Sequence, residues 1–214
     1  MQQQRTIIYI DGFNLYYGCL KNSPYKWLDL KSLFRKLLNE THQICKIKYF
    51  TANISSRENN NDSRLRQKDY LQAISSHIPE LEIIYGHYLT HEVTAKVVNP
   101  NKGIPPFIKV YKTEEKGSDV NLALHLLNDA WLDAYDCAVL VSNDSDIAEA
   151  LNLVKIQHKK NIGLIFPNTD PKRKPSRQLV QYADFVKNIR HGVLANSQLP
   201  DQIPNTIIAK PKDW

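Results

Sequence analysis

A chain of 214 residues is long enough for one α/β domain with extensions and too short for a second complete domain. Its 42% hydrophobic and 23% charged residues are the balance of a globular protein, with no apolar run long enough to cross a bilayer, so a soluble protein without membrane contact is expected. Lys and Arg number 28 against 22 Asp and Glu, a net charge of +6 that favours a polyanionic partner, more so if the acids gather in one place.

The amino terminus passes into the apolar stretch 6–10 without an apolar leader or a small-residue cleavage site, which predicts a cytoplasmic location. That stretch reads as a strand ending in Asp11-Gly12-Phe13-Asn14. Asp-Gly is common turn chemistry and Asn14 can cap a helix; the alternative is an acid presented at a strand end. Asp29 is expected to cap an amphipathic helix, because Leu30, Leu33, Phe34, Leu37 and Leu38 recur every three or four residues. Residues 44–52 predict a strand, and 53–62 a polar loop able to reach a substrate. A helix follows over 63–76 with Leu65, Tyr70, Leu71 and Ile74 inward, then a third strand over 81–85. Cys19, Cys45 and Cys137 are odd in number and in apolar contexts, which fits reduced core thiols.

Between 86 and 112 the pattern alternates around a turn at 99–103, predicting a β-rich arm inserted before the next helix. Lys96, Lys102, Lys109 and Lys112 are interleaved there with Tyr88, Phe107 and Tyr111, which makes the arm a candidate for facing a substrate. Gly117-Ser118 supplies a loop and cap, so Asp119 falls in the first turn of a helix running to 131. Lys116 is a candidate for neutralising charge on a substrate, or else pairs with Glu114 or Glu115.

Residues 137–141 are apolar on both faces, as in the middle of a covered parallel sheet, and stop in a polar turn carrying Asp144 and Asp146. Ser145 can cap the helix that follows and Asp146 can complement its dipole, so this turn also has a purely structural reading. After a strand at 161–166, the next loop carries Lys172, Arg173 and Lys174, with Arg177 just beyond, as candidate phosphate contacts. Residues 192–214, with Pro200, Pro204 and Pro211, predict an irregular tail that packs on the body or binds a protein partner.

Strands alternating with helices predict an α/β three-layer sandwich, Rossmann-like, with a mostly parallel central sheet over residues 1–191 and a β-rich insertion. Such a sheet gathers its strand ends on one edge, bringing Asp11, Asp119, Asp144 and Asp146 together without basic partners. Converging carboxylates repel unless a divalent cation binds, and oxygen ligands suit Mg2+ or Mn2+. A cation of that kind supports phosphodiester hydrolysis, with Asn14 placed to hydrogen-bond the attacking water or a phosphate oxygen.

Three blocks carry a family resemblance: residues 9–15 (YIDGFNL), 115–120 (EKGSDV) and 139–146 (VLVSNDSD). In that order they resemble the NYN domains, including LabA-like proteins, a branch of the PIN-like metal-dependent nucleases. Ser176, Leu179, Ala183 and Asp184 extend the likeness, which runs from Ile7 to about Leu199. The resemblance implies a PIN-like fold and cleavage of RNA dependent on Mg2+ or Mn2+, with the four aspartates as the acidic site and Asn14 beside them. It also leaves room for a homodimer. Two positions depart from the pattern: Asn143 stands where glycine is common, and His125 where many members carry another acid. The competing readings are a catalytically idle adaptor binding RNA or protein, and a phosphatase of the haloacid-dehalogenase type. The latter needs a second aspartate where this chain has Phe13.

Overall fold

The computed structural model describes every residue except 1–2, 55–60, 101–102, 104 and 213. β1 (Gln4–Asp11) leads into a single-turn helix α1 (Gly12–Leu15) that widens into a π-helical turn at Tyr16–Leu20. Then follow α2 (Leu30–Leu37), β2 (His42–Ala52), α3 (Asn61–His77), β3 (Leu81–Lys96), β4 (Phe107–Lys116), α4 (Ser118–Trp131) and β5 (Cys137–Val141). A 3-10 turn at Ser145–Ile147 feeds α5 (Ala148–Gln157), and β6 (Asn161–Phe166), α6 (Arg177–Val180), β7 (Phe185–Asn188) and α7 (His191–Ala195) complete the order.

Among the described residues the strands make one seven-stranded sheet in the order β4-β3-β2-β1-β5-β6-β7. All neighbours are parallel except β3 and β4. From β1 the chain builds outward to one side as far as β4, then crosses to the other side at β5. The reversal point, between β1 and β5, is where open α/β sheets form a crevice for ligands outside the strand ends.

Alternate residues of β1 face opposite sides of the sheet. Ile8 and Ile10 join Leu33, Phe34, Ile74 and Ile203 in one buried cluster with α2, α3 and the carboxyl-terminal segment. Ile7 and Tyr9 join Leu122, Leu126, Leu151 and Val154 of α4 and α5 on the other side. These are the three expected layers. β5 is buried along its whole length, which explains its unbroken apolar run.

Several local expectations change. Asp29 does cap α2, accepting the Ser32 N–H at 3.0 Å. Leu65, expected inward, is exposed, because α3 reaches the core only from Tyr70 onward. Of the predicted polar loop, residues 55–60 lie outside the described residues and 61–62 already belong to α3, while Lys102 of the arm also lies outside them. The third strand is far longer than predicted: its first part pairs with β2 up to Gly86, and 87–96 pair with β4. The arm is therefore the free half of β3 with β4, and β4 runs on through Lys116, past the predicted end of the arm at 112. Cys19 and Cys137 are buried free thiols, but Cys45 is exposed. The β1–β2 register jumps from Ile44 to Lys46, so Cys45 is bulged out of the pairing.

The carboxyl-terminal segment packs on the body. Trp27 Nε1 donates to the Pro200 carbonyl at 2.9 Å, and the Trp214 ring lies 6.2 Å from Trp27 and 6.0 Å from Tyr70. No helix among the described residues is long and apolar enough to cross a membrane.

Candidate active site

Asp11 ends β1 and caps α1. Its Oδ1 accepts the Asn14 backbone N–H at 2.9 Å, and its Oδ2 accepts the Asn14 side-chain amide at 2.5 Å. Asn14 is thus inside the helix, and the cap expected of it belongs to Asp11. The Asn14 Oδ1 accepts the Asn143 N–H at 3.2 Å, which ties the turn after β1 to the turn after β5. Ser142 makes the second tie: its hydroxyl donates to Asp11 Oδ2 at 3.0 Å and accepts the Asp144 N–H at 3.0 Å. Asp144 Oδ1 then accepts the Asp146 N–H at 3.0 Å, so Asp144, rather than Ser145, caps the 3-10 turn. A short side chain with an acceptor oxygen suits a cap, and Asp11, Asn14, Asp144 and Ser145 all qualify; the turn geometry selects among them.

The third acid arrives from the far side of the sheet. Gly117 has φ +95°, a conformation that strains any residue with a Cβ, and it turns β4 sharply into α4. Glu115 accepts the Ser118 N–H at 3.1 Å and the Ser118 hydroxyl at 2.8 Å, satisfying the helix start. Gly86 makes room for this carboxylate, since a Cβ there would lie 2.4 Å from Glu115 Oε1. Asp119 follows in the first turn, as predicted.

The electrostatics show that these acids share one field. Loss of water, then repulsion from Asp11, Asp144, Glu115 and Asp146, pushes the Asp119 carboxyl up to about 6. Asp11 is raised as well: burial outweighs its hydrogen bonds, and Asp144 adds repulsion. Among the described residues none of the four aspartates forms an ion pair. Nor are three His, Cys, Asp or Glu side chains among them grouped as an all-protein metal cage.

The basic candidates divide. Lys109 pairs with Glu92 at 2.8 Å, while Lys112 and Lys116 share Glu114 at 2.7 and 3.4 Å. Lys116 thus makes the pairing with Glu114 that was its structural alternative, while staying half exposed. Lys172, Arg173, Lys174 and Arg177 are exposed. Their loop is anchored to the acid turn, because the Ser176 N–H donates to Asn143 Oδ1 at 2.7 Å. Asn143 thus supplies a contact that glycine could not.

His125 stands apart from the rim. Its Nδ1 lies 3.1 Å from Lys48 Nζ, and Lys48 reaches Asp129 Oδ2 at 2.6 Å, an oxygen that also accepts the Tyr9 hydroxyl at 2.6 Å. An ammonium has only donors, so His125 Nδ1 is an acceptor there. Neither this network nor the roles of Ser142 and Glu115 were read from the sequence. The one signal was Lys48 itself, a charge inside the apolar run Ile47, Tyr49, Phe50.

With this geometry in place, the motif blocks find their counterpart in known proteins, since the NYN domain model matches residues 5–189. The chain belongs to the NYN domain family. It is 39% identical over 236 aligned residues to 6-hydroxy-3-succinoylpyridine 3-monooxygenase HspA of Pseudomonas putida (strain DSM 28022 / S16), an alignment covering 98% of this chain and 75% of HspA. A solved structure, the protein of unknown function VPA0982 from Vibrio parahaemolyticus RIMD 2210633, superposes with a TM-score of 0.57 at 16% identity. That match covers 92% of this chain and 98% of the other, and shows the fold alone. The NYN domain here thus has a nuclease-like α/β fold, with Asp11 ending β1 and Asp144 following β5 at the reversal point of the sheet.

Proposed function

We propose that this protein is a ribonuclease that hydrolyses RNA phosphodiester bonds with the aid of Mg2+ or Mn2+. One observation carries the reading: carboxylates from β1, α4 and the turn after β5 lie close enough to repel one another, with no ion pair to any of them among the described residues, and together with burial this raises Asp119 to about 6. Repulsion of that kind costs stability unless a ligand offsets it, which is the signature of a functional site. All the donors are oxygens, the chemistry of hard cations. Mg2+ keeps several of its waters and takes only one or two carboxylates directly, so the rim suits a hydrated ion rather than a closed cage.

Asp11, Asp119, Asp144 and Asp146 would hold such an ion, which would supply Lewis-acid activation and offset charge on the phosphate. The chain's own residues do the rest. Asn14 and Ser142 fix the Asp11 carboxylate by three hydrogen bonds, and the Ser142 hydroxyl orients the Asp144 backbone. Lys172, Arg173 and Lys174, in the loop held by Asn143, and Arg177 at the start of α6 would grip flanking phosphates. The test is cleavage of single-stranded and structured RNA with Mg2+, Mn2+ or EDTA. Loss of cleavage in EDTA and in Asp144→Asn is expected; activity that survives both overturns the reading. Divalent-ion binding without cleavage of any RNA would point instead to an idle adaptor.

A second reading, hydroxylation of a pyridine ring, is favoured by the 39% identity to a protein named as a monooxygenase. Oxygen uptake with 6-hydroxy-3-succinoylpyridine and an added electron donor decides between the two. Uptake that persists in Asp144→Asn would remove the acids from the chemistry.

A further inference from the structure

We propose that one face of the β3–β4 ribbon is a stacking surface for unpaired bases, holding a single RNA strand on its way to the acid rim; the proposal rests on the ribonuclease reading. β2 ends at Ala52, opposite Gly86, whereas β3 continues through Lys96. At about 3.4 Å per residue the ribbon stands roughly 30 Å beyond the carboxyl edge of the sheet. Asp11 ends β1 on this same edge, and Asp144 follows β5 there.

The pairing register sorts the ribbon's side chains. Tyr88, Tyr111, Lys109 and Phe107 fall on one face, and Lys112, Glu114 and Lys116 on the other. The first face is turned to the site. At its root Tyr88 packs edge-on against Phe13, two residues past Asp11, with ring centroids 6.3 Å apart. Glu115, opposite Tyr88, caps the helix that presents Asp119. Farther out on this face Tyr111 is 80% exposed and Phe107 is 56% exposed. Phe107, Tyr111 and the Tyr88–Glu115 pair follow one another every four residues, about 14 Å per step along the strand.

A line of exposed rings on a rigid ribbon does little for the fold, since it covers no core. It suits bases, whose flat faces stack on aromatic side chains whatever their sequence, and a run of this length takes about four nucleotides. A duplex keeps its bases stacked inside, so the surface selects an unpaired strand. Charge divides the labour. On this face Lys109 is held by Glu92, while the exposed Lys96, paired with Phe107 at the outer end, leaves one cation beside the rings to meet a phosphate. The exposed cations Lys172, Arg173, Lys174 and Arg177, which form no ion pair among the described residues, lie in the loop anchored on Asn143 and at the start of α6 that follows it.

The experiment measures binding without turnover, by fluorescence anisotropy of a labelled oligo-uridine 12-mer and of a 12-base-pair RNA duplex, both in EDTA. Wild type is expected to prefer the single strand, and Phe107→Ala/Tyr111→Ala to weaken that binding by about tenfold or more. Both positions are exposed, so the double variant keeps its melting temperature. His91→Ala, on the opposite face, is expected to bind as wild type does. Equal binding by the double variant, or equal binding of duplex and single strand by wild type, overturns the proposal even if RNA is cleaved. Ring-dependent binding by a protein that cleaves no RNA supports the surface and overturns the ribonuclease reading alone.

Discussion

Helix α4 carries two acids in opposite circumstances. Asp129, near its carboxyl end, is buried and locked between the Lys48 ammonium and the Tyr9 hydroxyl, each 2.6 Å away. Burial and that bond drive the Tyr9 hydroxyl far above its ordinary pKa, so it stays a donor at every accessible pH. Asp119, at the amino end of the same helix, is raised by loss of water and then by repulsion from Asp11, Asp144, Glu115 and Asp146, and has no ion pair among the described residues. The fold can neutralise an acid in this layer and does so ten residues away. At the rim, where the described residues supply no ion pair, the charge is left to be met from outside.

The comparison breaks first at Lys48. Lys48→Met removes the cation and leaves Asp129 buried and uncompensated, which costs about 3–5 kcal/mol. A fall in unfolding free energy of that order in denaturant titration is expected. Adding Asp129→Asn should recover much of it, because the remaining groups are then neutral. A small loss would mean that the network is incidental to the fold.

Asp144→Asn probes the other end. Asn still caps the 3-10 turn, so melting should be unchanged or improved as one repelling charge disappears. RNA cleavage should fall by about 10²-fold or more. Stability and cleavage falling together would make the rim structural, and the contrast with Asp129 would vanish.

Asp119 gives the contrast a pH dependence. Its carboxyl is raised from 3.8 to about 6 in the folded protein, so the fold holds that proton more tightly than the unfolded chain does. The group's contribution to stability is full below about pH 4 and is lost as pH rises through 6. Asp136, held low by Arg5, pulls the other way, so the readout is the difference between proteins. In EDTA, Asp119→Asn should gain on wild type steadily from pH 4 to pH 7 in thermal melts. A constant difference would show that Asp119 feels no neighbouring acids.

The sequence makes the layers and the acids legible for the same reason: both depend on short stretches. The buried run 137–141 announces a central strand, and each aspartate lies in its own compact block. What depends on long-range pairing stays hidden. β3 reads as two elements because it exchanges a parallel partner for an antiparallel one at Gly86, changing from apolar to alternating without a break in the strand. The hydroxyl of Ser142 acquires its role from Asp11, 131 residues away. Cys45 looks like a core thiol until the register skips it.

The smallest effect, and the finest test of the rim, belongs to Asn143. Its backbone N–H donates to Asn14 and its side-chain oxygen accepts from Ser176, so one residue fastens both Asn14 and the basic loop to the acid turn. Asn143→Gly keeps the first bond and loses the second, a single neutral hydrogen bond of about 1 kcal/mol. The acids themselves are untouched. KM for RNA should therefore rise about threefold to tenfold while kcat changes little, because the loop's cations are less well placed but the carboxylates are not. A drop in kcat with KM unchanged would instead mean that Asn143 acts through Asn14 and Asp11, making it part of the acid rim rather than a link to the loop.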